Sequence, residues 1–223
     1  MVGNDIVDMG EFAAEVADAR NRFDRRVCRM GERELIQRAQ DPSRERWCHW
    51  AAKEAAYKLM KKQDAQAIFS PIRFEVHLDP EPKNWQAEAS PSVTRNGFIE
   101  YGSWRTELQL TLLPTLAVHA IARMPEGNEQ PMVAGALSIA DLCEAEPSPS
   151  QLSQAVRTLA CGRLAQVLSV EPEALSIAKR GRVPELRYRD RRFGADLSLS
   201  HHGRMVAFAC VLPAQGLQER LAS

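Results

Sequence analysis

The same order of predicted elements occurs twice along this chain, and this repetition constrains the fold more than any other feature. In each part a helix is followed by a strand, a loop and a last strand in which two alanines flank one hydrophobic residue. The two endings are Ala120-Ile121-Ala122 and Ala207-Phe208-Ala209. Because the two parts are otherwise dissimilar in sequence, the pattern suggests a duplicated unit without proving one. We predict an α+β fold of two pseudo-symmetric halves.

Loop-forming residues place the boundary between the halves near the middle of the chain. Proline, glycine and other turn-forming residues are frequent between residues 124 and 150, a composition typical of linkers. We predict a first half over residues 1–125, a linker over residues 126–150 and a second half over residues 151–223.

Hydrophobic periodicity predicts the elements within each half. Helices are predicted at residues 11–30, 31–40, about 43–62 and 151–170, with Gly31 separating the first two. Strands are predicted at residues 2–9, 66–78, 97–112, 115–123, 175–178, 196–202 and 205–212. The helix at 43–62 is the clearest, because Asp41-Pro42-Ser43 is a helix-start signal.

The charge balance disfavours one broad class of function. The 223-residue chain has 29 basic and 29 acidic residues, so a globally basic nucleic-acid-binding protein is not expected. Five cysteines without a CxxC pair favour neither a disulfide framework nor a zinc site. No segment approaches the roughly 20 apolar residues of a membrane span, and two aspartates in the first apolar segment argue against a signal peptide. We expect a cytoplasmic protein that binds neither nucleic acid nor membrane.

An aspartate lies in the middle of the first apolar segment. Asp5 belongs to Val2-Gly3-Asn4-Asp5-Ile6-Val7-Asp8, and a buried carboxylate costs free energy unless it is paired, hydrogen-bonded or bound to a metal. Asp8 is three residues further on, so on a strand it points to the opposite face. Asp5 is therefore either a turn cap or salt-bridged core group, or a ligand of a cation.

Glu54 and Lys58 share a face of the predicted 43–62 helix because they are four residues apart. The ordinary interpretation is a solvated ion pair. However, four alanines flank Glu54, and small side chains let a ligand or another backbone come close. Since Mg²⁺ takes one or two protein carboxylates together with phosphate oxygens and water, Asp5 and Glu54 with a diphosphate would complete its coordination.

The segment Ser200-His201-His202-Gly203-Arg204 comes where an alternating strand should end. Histidine and arginine can hydrogen-bond phosphate oxygens there, although an exposed hairpin is the simpler interpretation. A Ser-His nucleophile pair is disfavoured, because adjacent strand residues face opposite ways and no Gly-x-Ser-x-Gly motif is present. The basic stretch at residues 179–192, together with Arg157, is either a second phosphate-binding or acidic-partner surface or a solvated loop.

Together these segments resemble the 4′-phosphopantetheinyl transferase superfamily. Gly3 to Asp8 is similar to the family's Gly-x-Asp-[Ile/Val]-[Val/Glu]-[Glu/Asp] motif, and Trp50 to Lys58 is similar to its Trp-[Ser/Ala]-x-Lys-Glu-[Ser/Ala]-x-x-Lys motif. Leu199 to Arg204 resembles the family's Ser-His-Ser segment. Two further segments resemble the helix arginine and the Gly-Lys-Pro segment that precede it; they are Arg157-Thr158-Leu159 and Gly181-Arg182-Val183-Pro184. The resemblance implies that each half is a small antiparallel sheet packed with helices.

The resemblance also implies an activity, which is transfer of the phosphopantetheine arm of coenzyme A to a serine of an apo acyl or peptidyl carrier protein, with release of adenosine 3′,5′-bisphosphate. It implies Mg²⁺, or alternatively Mn²⁺, on Asp5 and Glu54, with Glu54 or a metal-bound water as the base. The catalytic residues that it implies are Asp5, Glu54 and Lys58. The residues that it implies for coenzyme A binding are Ser200, His201, Arg157, Arg182, Lys53 and Lys58.

An acidic carrier protein would be attracted by a basic surface near the site. The candidates for such a surface are Arg22, Arg25, Arg26 and Arg29. A solvated helix face is the alternative interpretation of these four arginines.

The chain departs from the family's pattern in the order of its halves, at Val7, and at His202, which replaces the second serine of the Ser-His-Ser segment. In the family's monomeric two-half members the Ser-His-Ser half comes first, whereas here the order is reversed. Val7 stands where many of them have an acidic residue, so we expect two protein carboxylates on the metal. Pro114-Thr115 stands where the first half would need its own Ser-His pair, so we expect one active site in a monomer. A non-catalytic coenzyme A- or carrier-binding relative of the same fold is the alternative.

Overall fold

The structure, a computed structural model, describes residues 1–12, 17–80, 91–125, 130–140, 146–181 and 183–213. The elements of the first half are β1 (Val2–Asp8), α1 (Ala17–Val27), α2 (Met30–Arg38), α3 (Pro42–Gln63), β2 (Glu75–Leu78), β3 (Val93–Tyr101), β4 (Trp104–Leu113) and β5 (Ala117–Arg123). Those of the second half are β6 (Met132–Ser138), α4 (Pro149–Leu168), β7 (Leu175–Arg180), β8 (Val183–Tyr188), β9 (Arg191–Arg192), β10 (Asp196–His202) and β11 (Met205–Val211).

The two halves repeat one topology. The first half is a five-stranded antiparallel sheet in the order β1-β5-β4-β3-β2. In the second half β10-β11-β6 form one antiparallel sheet and β7-β8-β9 another, and β8 packs beside β10. In each half the first strand pairs with the last, and a long helix lies between the first strand and the second. The predicted α+β fold with antiparallel sheets is confirmed.

Each long helix covers its own sheet and forms a separate core with it. On α3 a stripe of alanines and Leu59 packs against the first sheet, where Ile99 and Leu110 are fully buried. On α4, Leu164 packs towards Phe208 of the second sheet. The helix predicted at 43–62 matches α3, and Asp41 caps it by accepting a hydrogen bond from the Arg44 N–H at 3.0 Å.

Strand β1 lies between the halves. One of its edges pairs with β5, and the N–H groups of the other edge donate to side chains of β10 instead of to a backbone. The pairs of donor and acceptor are Val2 to Asp196 (2.5 Å), Asn4 to Ser198 (3.0 Å), Ile6 to Ser200 (3.2 Å) and Asp8 to His202 (3.2 Å). Buried Ala207 and Ala209 of β11 complete the contact with β1 and β5. Residues about 194 positions apart are thereby fixed side by side.

The prediction of a loop over residues 126–150 is wrong for part of this segment. Met132–Ser138 forms β6 and pairs along its whole length with β11. The alanines of β6 and Gly135 have low strand propensity, so the sequence of this segment alone does not predict a strand. The strand forms because it packs closely on its neighbours. A Cβ on Gly135 would lie only 3.0 Å from the ring of Phe208, so glycine allows this close contact. The second half therefore begins with β6.

Two smaller predictions also need correction. The continuous strand predicted over residues 97–112 is a hairpin of β3 and β4 that turns at Gly102, whose φ is +61°. Gly31 lies inside α2, and the break between α1 and α2 falls at Cys28 and Arg29 instead. Here the backbone N–H of Arg29 donates to the Glu32 carboxylate at 2.7 Å, an N-terminal capping contact that starts α2.

Within the described ranges, none of the helices is long and apolar enough to cross a membrane. Among the cysteines described there, Cys28, Cys161 and Cys210 are free thiols.

Candidate functional site

Asp5, Lys58 and Ser200 meet where β1, α3 and β10 come together. Oδ1 of Asp5 accepts hydrogen bonds from Lys58 Nζ at 2.7 Å and from Ser200 Oγ at 2.8 Å. Lys58 Nζ also lies 3.1 Å from Ser200 Oγ. Since Ser200 is 5 % exposed and Asp5 is 8 % exposed, the cluster is a nearly buried contact between residues from both halves. The structure thus brings together three of the residues predicted from the sequence.

Gly3 explains why the helix comes so close to the strand. A Cβ at this position would overlap the carbonyl oxygen of Ala55 and lie 2.6 Å from the backbone nitrogen of Leu59. Only glycine lets the backbone of α3 rest against β1 in this way. Because side chains alternate along a strand, Asp5 faces the helix as Gly3 does and lies beside Glu54 and Lys58.

Glu54 is the second carboxylate of the cluster. Burial and the nearby negative charge of Asp5 raise the pKa of Glu54 to about 7, although Lys58 acts in the opposite direction. Two carboxylates that are held close in a partly buried site repel each other, and a proton or a cation relieves that repulsion. The site therefore has the hard oxygen donors that Mg²⁺ prefers, with Asp5 and Glu54 as the residues that would bind it.

Asp8, the other carboxylate of β1, contacts the turn between β10 and β11. Its Oδ1 accepts from the Gly10 N–H and its Oδ2 from the Arg204 N–H, both at 3.1 Å. Gly203 has a φ of +53°, and a Cβ there would lie 2.6 Å from Asp8 Oδ2. Both oxygens of Asp8 are thus engaged by backbone groups, and the expectation of two protein carboxylates on a metal stays a prediction.

His201 follows Ser200 on β10 and is exposed at the rim of the site. Burial lowers the pKa of His201, and the positive charges of Lys58, His202 and Lys179 lower it further, while Asp5 raises it. Lys179 therefore belongs to the electrostatic surroundings of the site. Sequence reasoning included this lysine only as part of the basic stretch at 179–192, because its distance from His201 along the chain hides their proximity. The rim is a basic region suited to phosphate groups.

The structure does not bring Lys53 to this cluster. Its side chain is fully buried, and its Nζ donates to Glu32 Oε2 at 2.6 Å and to the Val27 carbonyl at 2.8 Å. This corrects the expectation that Lys53 contacts coenzyme A, because its ammonium group is enclosed by α1, α2 and α3 and has no path to a ligand at Asp5.

Of the two arginines predicted to bind coenzyme A, one lies away from the cluster and the other is not among the described residues. Arg157 donates from its Nη1 to the carbonyl of Ser153 at 2.6 Å, one turn back on α4, and lines a separate cleft with Cys161 and Ser176. Arg182 lies outside the described residues. Contact of either arginine with coenzyme A stays a prediction.

Among the described residues of the second half, no carboxylate stands at the strand position that corresponds to Asp5. Asp5 is the fourth of seven residues in β1, and Gly135 is the fourth of seven in the equivalent strand β6. The turn between β4 and β5 contains Pro114 and Thr115, where the second half has Gly203. The expectation of one site in the chain stays a prediction.

A family model for the 4′-phosphopantetheinyl transferase superfamily matches residues 1–119. The matched segment is more than half of the chain and contains Asp5, Glu54 and Lys58 on β1 and α3. The chain belongs to this superfamily. No curated protein matches the chain significantly. The match ends before β10, so Ser200 and His201 are joined to the transferase site by the geometry described above and not by the family model.

Proposed function

We propose that this superfamily member transfers the 4′-phosphopantetheine arm of coenzyme A to a serine of an apo carrier protein in a Mg²⁺-dependent reaction. The observation that supports this most is that Asp5, Glu54 and Lys58 lie together, with Lys179 adding positive charge and His201 offering a ring nitrogen at the rim. Such a site can bind a cation and a diphosphate together.

In the proposed reaction Asp5 and Glu54 would hold Mg²⁺, whose charge would offset that of the diphosphate and of the leaving group. The Lys58 ammonium group, now 2.7 Å from Asp5, would turn to a phosphate oxygen once a cation occupies the carboxylates. His201 and Lys179 would contact further phosphate oxygens from the rim. Ser200 holds the Asp5 carboxylate in place, because its hydroxyl is fixed by the Ile6 N–H at 3.2 Å.

The covalent step is a displacement at phosphorus. The hydroxyl oxygen of the carrier serine bonds to the phosphorus that carries the pantetheine arm, and the bond from this phosphorus to the bridging oxygen breaks. Adenosine 3′,5′-bisphosphate leaves with that oxygen. In this proposal Glu54 accepts the serine proton, either directly or through a water.

Three exposed arginines of α1 are the best candidates for attracting an acidic carrier protein. Arg22, Arg25 and Arg26 line a cleft of about 720 Å³ together with Phe23, Trp50, Phe69 and Pro71. Arg29, the fourth candidate, is already engaged, since its guanidinium pairs with Glu75 and donates to the Arg73 carbonyl at 2.9 Å. Basic charge beside an apolar cleft suits an acidic helical partner.

Release of adenosine 3′,5′-bisphosphate tests the proposal. We expect chromatography to detect this product when the protein, coenzyme A, Mg²⁺ and an apo carrier are mixed, and its amount to match the holo-carrier formed. Coenzyme A binding without product, for several carriers, would instead favour the non-catalytic relative.

A further inference from the structure

Lys53 is completely buried although it is charged. Moving an ammonium group out of water costs several kcal/mol, and the attraction to a partner offsets this cost only when the geometry is good. The contacts of Lys53 to Glu32 at 2.6 Å and to the Val27 carbonyl at 2.8 Å meet that condition. The role of this buried pair is not explained by ligand binding, because neither group can reach solvent.

Glu32 connects Lys53 to two further segments. Its Oε1 accepts a hydrogen bond from the Val76 N–H at 2.9 Å, and its Oε2 accepts one from the Arg29 N–H at 2.7 Å. A single ion pair thus joins α3 to the end of α1, the start of α2 and strand β2. We name this set of contacts the α3 anchor.

The α3 anchor lies on the side of the helix that faces away from β1. Successive helical residues are about 100° apart, so Lys53 points roughly opposite to Ala55, whose backbone rests against Gly3. Glu54 projects between these two contacts. Any rotation or shift of α3 released at Lys53 would therefore change the distance from Glu54 to Asp5.

We propose that Lys53 is a positioning residue, which through its buried pair with Glu32 fixes the rotation of α3 and so holds Glu54 beside Asp5. The proposal rests on the proposed function in one respect, because it takes Asp5 and Glu54 as the cation ligands. It differs from the expectation for direct coenzyme A binding, since Lys53 then acts only through the backbone of α3.

The test compares Lys53→Met with Glu32→Gln, which remove the charge from opposite ends of the pair. The first readout is Mn²⁺ affinity, measured on the purified protein from the electron paramagnetic resonance signal of free Mn²⁺. The second is the kinetic split between kcat and the KM for coenzyme A. We expect both variants to bind Mn²⁺ about tenfold more weakly and to lose kcat, with an unchanged KM for coenzyme A.

The matched control is Arg46→Met on the same helix. Arg46 forms a comparably buried pair with Asp24 at 2.5 and 2.8 Å, but it lies two turns before Glu54. This variant should lower the melting temperature and leave Mn²⁺ affinity unchanged. If Lys53→Met does not fold, Glu32→Gln remains informative, because its amide oxygen can still accept from the Val76 N–H.

Three results would overturn the proposal. A defect in Lys53→Met alone, expressed as a higher KM for coenzyme A, would indicate direct binding. Lower melting temperatures with normal Mn²⁺ affinity in both variants would indicate a purely structural role. Opposite shifts of Mn²⁺ affinity in the two variants would indicate a through-space charge effect. Since Mn²⁺ affinity needs no turnover, failure of the proposed transferase activity in the unmodified protein would be recognised separately.

Discussion

At the scale of a single residue, the structure shows one of the two interpretations that the sequence context of Asp5 left open. Asp5 is a salt-bridged group, because Lys58 and Ser200 bond its Oδ1. Its role as a cation ligand stays a prediction, which is supported by the second carboxylate, Glu54, because the charge of Asp5 helps to raise the pKa of Glu54. The ammonium group of Lys58, 2.7 Å from Oδ1, offsets the cost of burying the Asp5 carboxylate, which is 8 % exposed.

The first prediction concerns Asp5→Asn. The amide oxygen can still accept hydrogen bonds from Lys58 and Ser200, so the fold should persist, while the loss of a cation ligand should lower kcat by about 100-fold. Steady-state transfer assays over a series of Mg²⁺ concentrations, together with thermal melting, measure both effects. Ser198→Ala is the matched control, because Ser198 bonds the Asn4 N–H and not Asp5. Full activity of Asp5→Asn would contradict the assignment.

The sequence identified Asp5, Glu54 and Lys58 because their residue types and spacing suit cation and phosphate binding. The sequence could not show that Lys53 points away from Asp5 while the adjacent Glu54 lies beside it. The difference depends on Glu32, which meets Lys53 from a different helix 21 residues away along the chain. Burial of a lysine is decided by such a partner, and periodicity carries no information about it.

At the scale of elements, the close packing of α3 on β1 is the feature on which the site depends. The second prediction is that Gly3→Ala separates them, because its methyl group would overlap the backbone at Ala55 and Leu59. We expect a loss of about 3 kcal/mol in the free energy of unfolding and a weaker Mg²⁺ response of the transfer rate. Urea unfolding and Mg²⁺ titration measure these changes.

Gly162→Ala is the matched control for this prediction. Gly162 lies inside α4, and an added Cβ would meet nothing within 4 Å. Alanine should therefore stabilise the helix by about 0.5–1 kcal/mol without affecting Mg²⁺. If Gly3→Ala were as stable as the unmodified protein, the close packing of α3 on β1 would be in doubt.

The third prediction concerns the pH dependence of the buried charges between α3 and β3. Burial by itself would raise the pKa of Glu45, but His49 and the two contacts from Arg95, at 2.6 and 3.1 Å, lower it from 4.5 to about 2. The ring of His49 acts through its charge at close range, since its Nε2 lies 3.5 Å from the carboxylate without a hydrogen bond. A carboxylate whose pKa is lowered by folding stabilises the fold above its unfolded pKa and loses this contribution as the pH falls.

Stability should therefore decrease as the pH falls from about 4.5 to about 2, by an amount on the order of 3 kcal/mol for Glu45. Glu45→Gln should be less stable at neutral pH and should lose less stability over that acidic range. Urea unfolding at a series of pH values measures the difference. Parallel curves for the two proteins would show that Glu45 does not contribute as described.

The sequence predicts an element well when the signals for it lie within the element itself, and poorly when the element depends on contacts with distant residues. Helix α3 has a cap, a proline at its start and an apolar stripe, so the sequence predicts it within one residue at each end. Strand β6 has none of these signals and exists because β11 pairs with it. The turn at Gly102 was missed because hydrophobic residues continue on both sides of it, and only the positive φ requires the glycine.

At the scale of the whole molecule, one chain supplies both halves that meet around Asp5. Residues of β1 and β10 that are 194 to 195 positions apart make the contacts around Asp5. The repeated Ala-x-Ala endings predicted a duplicated unit, but not how the halves would face each other. That arrangement depends on side chains of β10 accepting from the free edge of β1, a contact without a periodic signature.

The fourth prediction concerns the carrier surface on α1. Arg25 is exposed on the cleft beside Phe23 and Trp50, so Arg25→Glu should raise the KM for an acidic carrier about tenfold through charge repulsion. The KM for coenzyme A should not change. Arg163→Glu is the matched control, because Arg163 is exposed on α4 in the other half. Equal effects of the two variants would mean that the carrier binds elsewhere.

The most direct test of the central claim is the intact mass of an apo acyl carrier protein after incubation with this protein, coenzyme A and Mg²⁺. We expect the carrier mass to increase by one phosphopantetheine arm, and we expect EDTA and Glu54→Gln each to abolish this increase. An unchanged carrier mass with the unmodified protein across several carriers, or a gain that persists in EDTA, would contradict the claim.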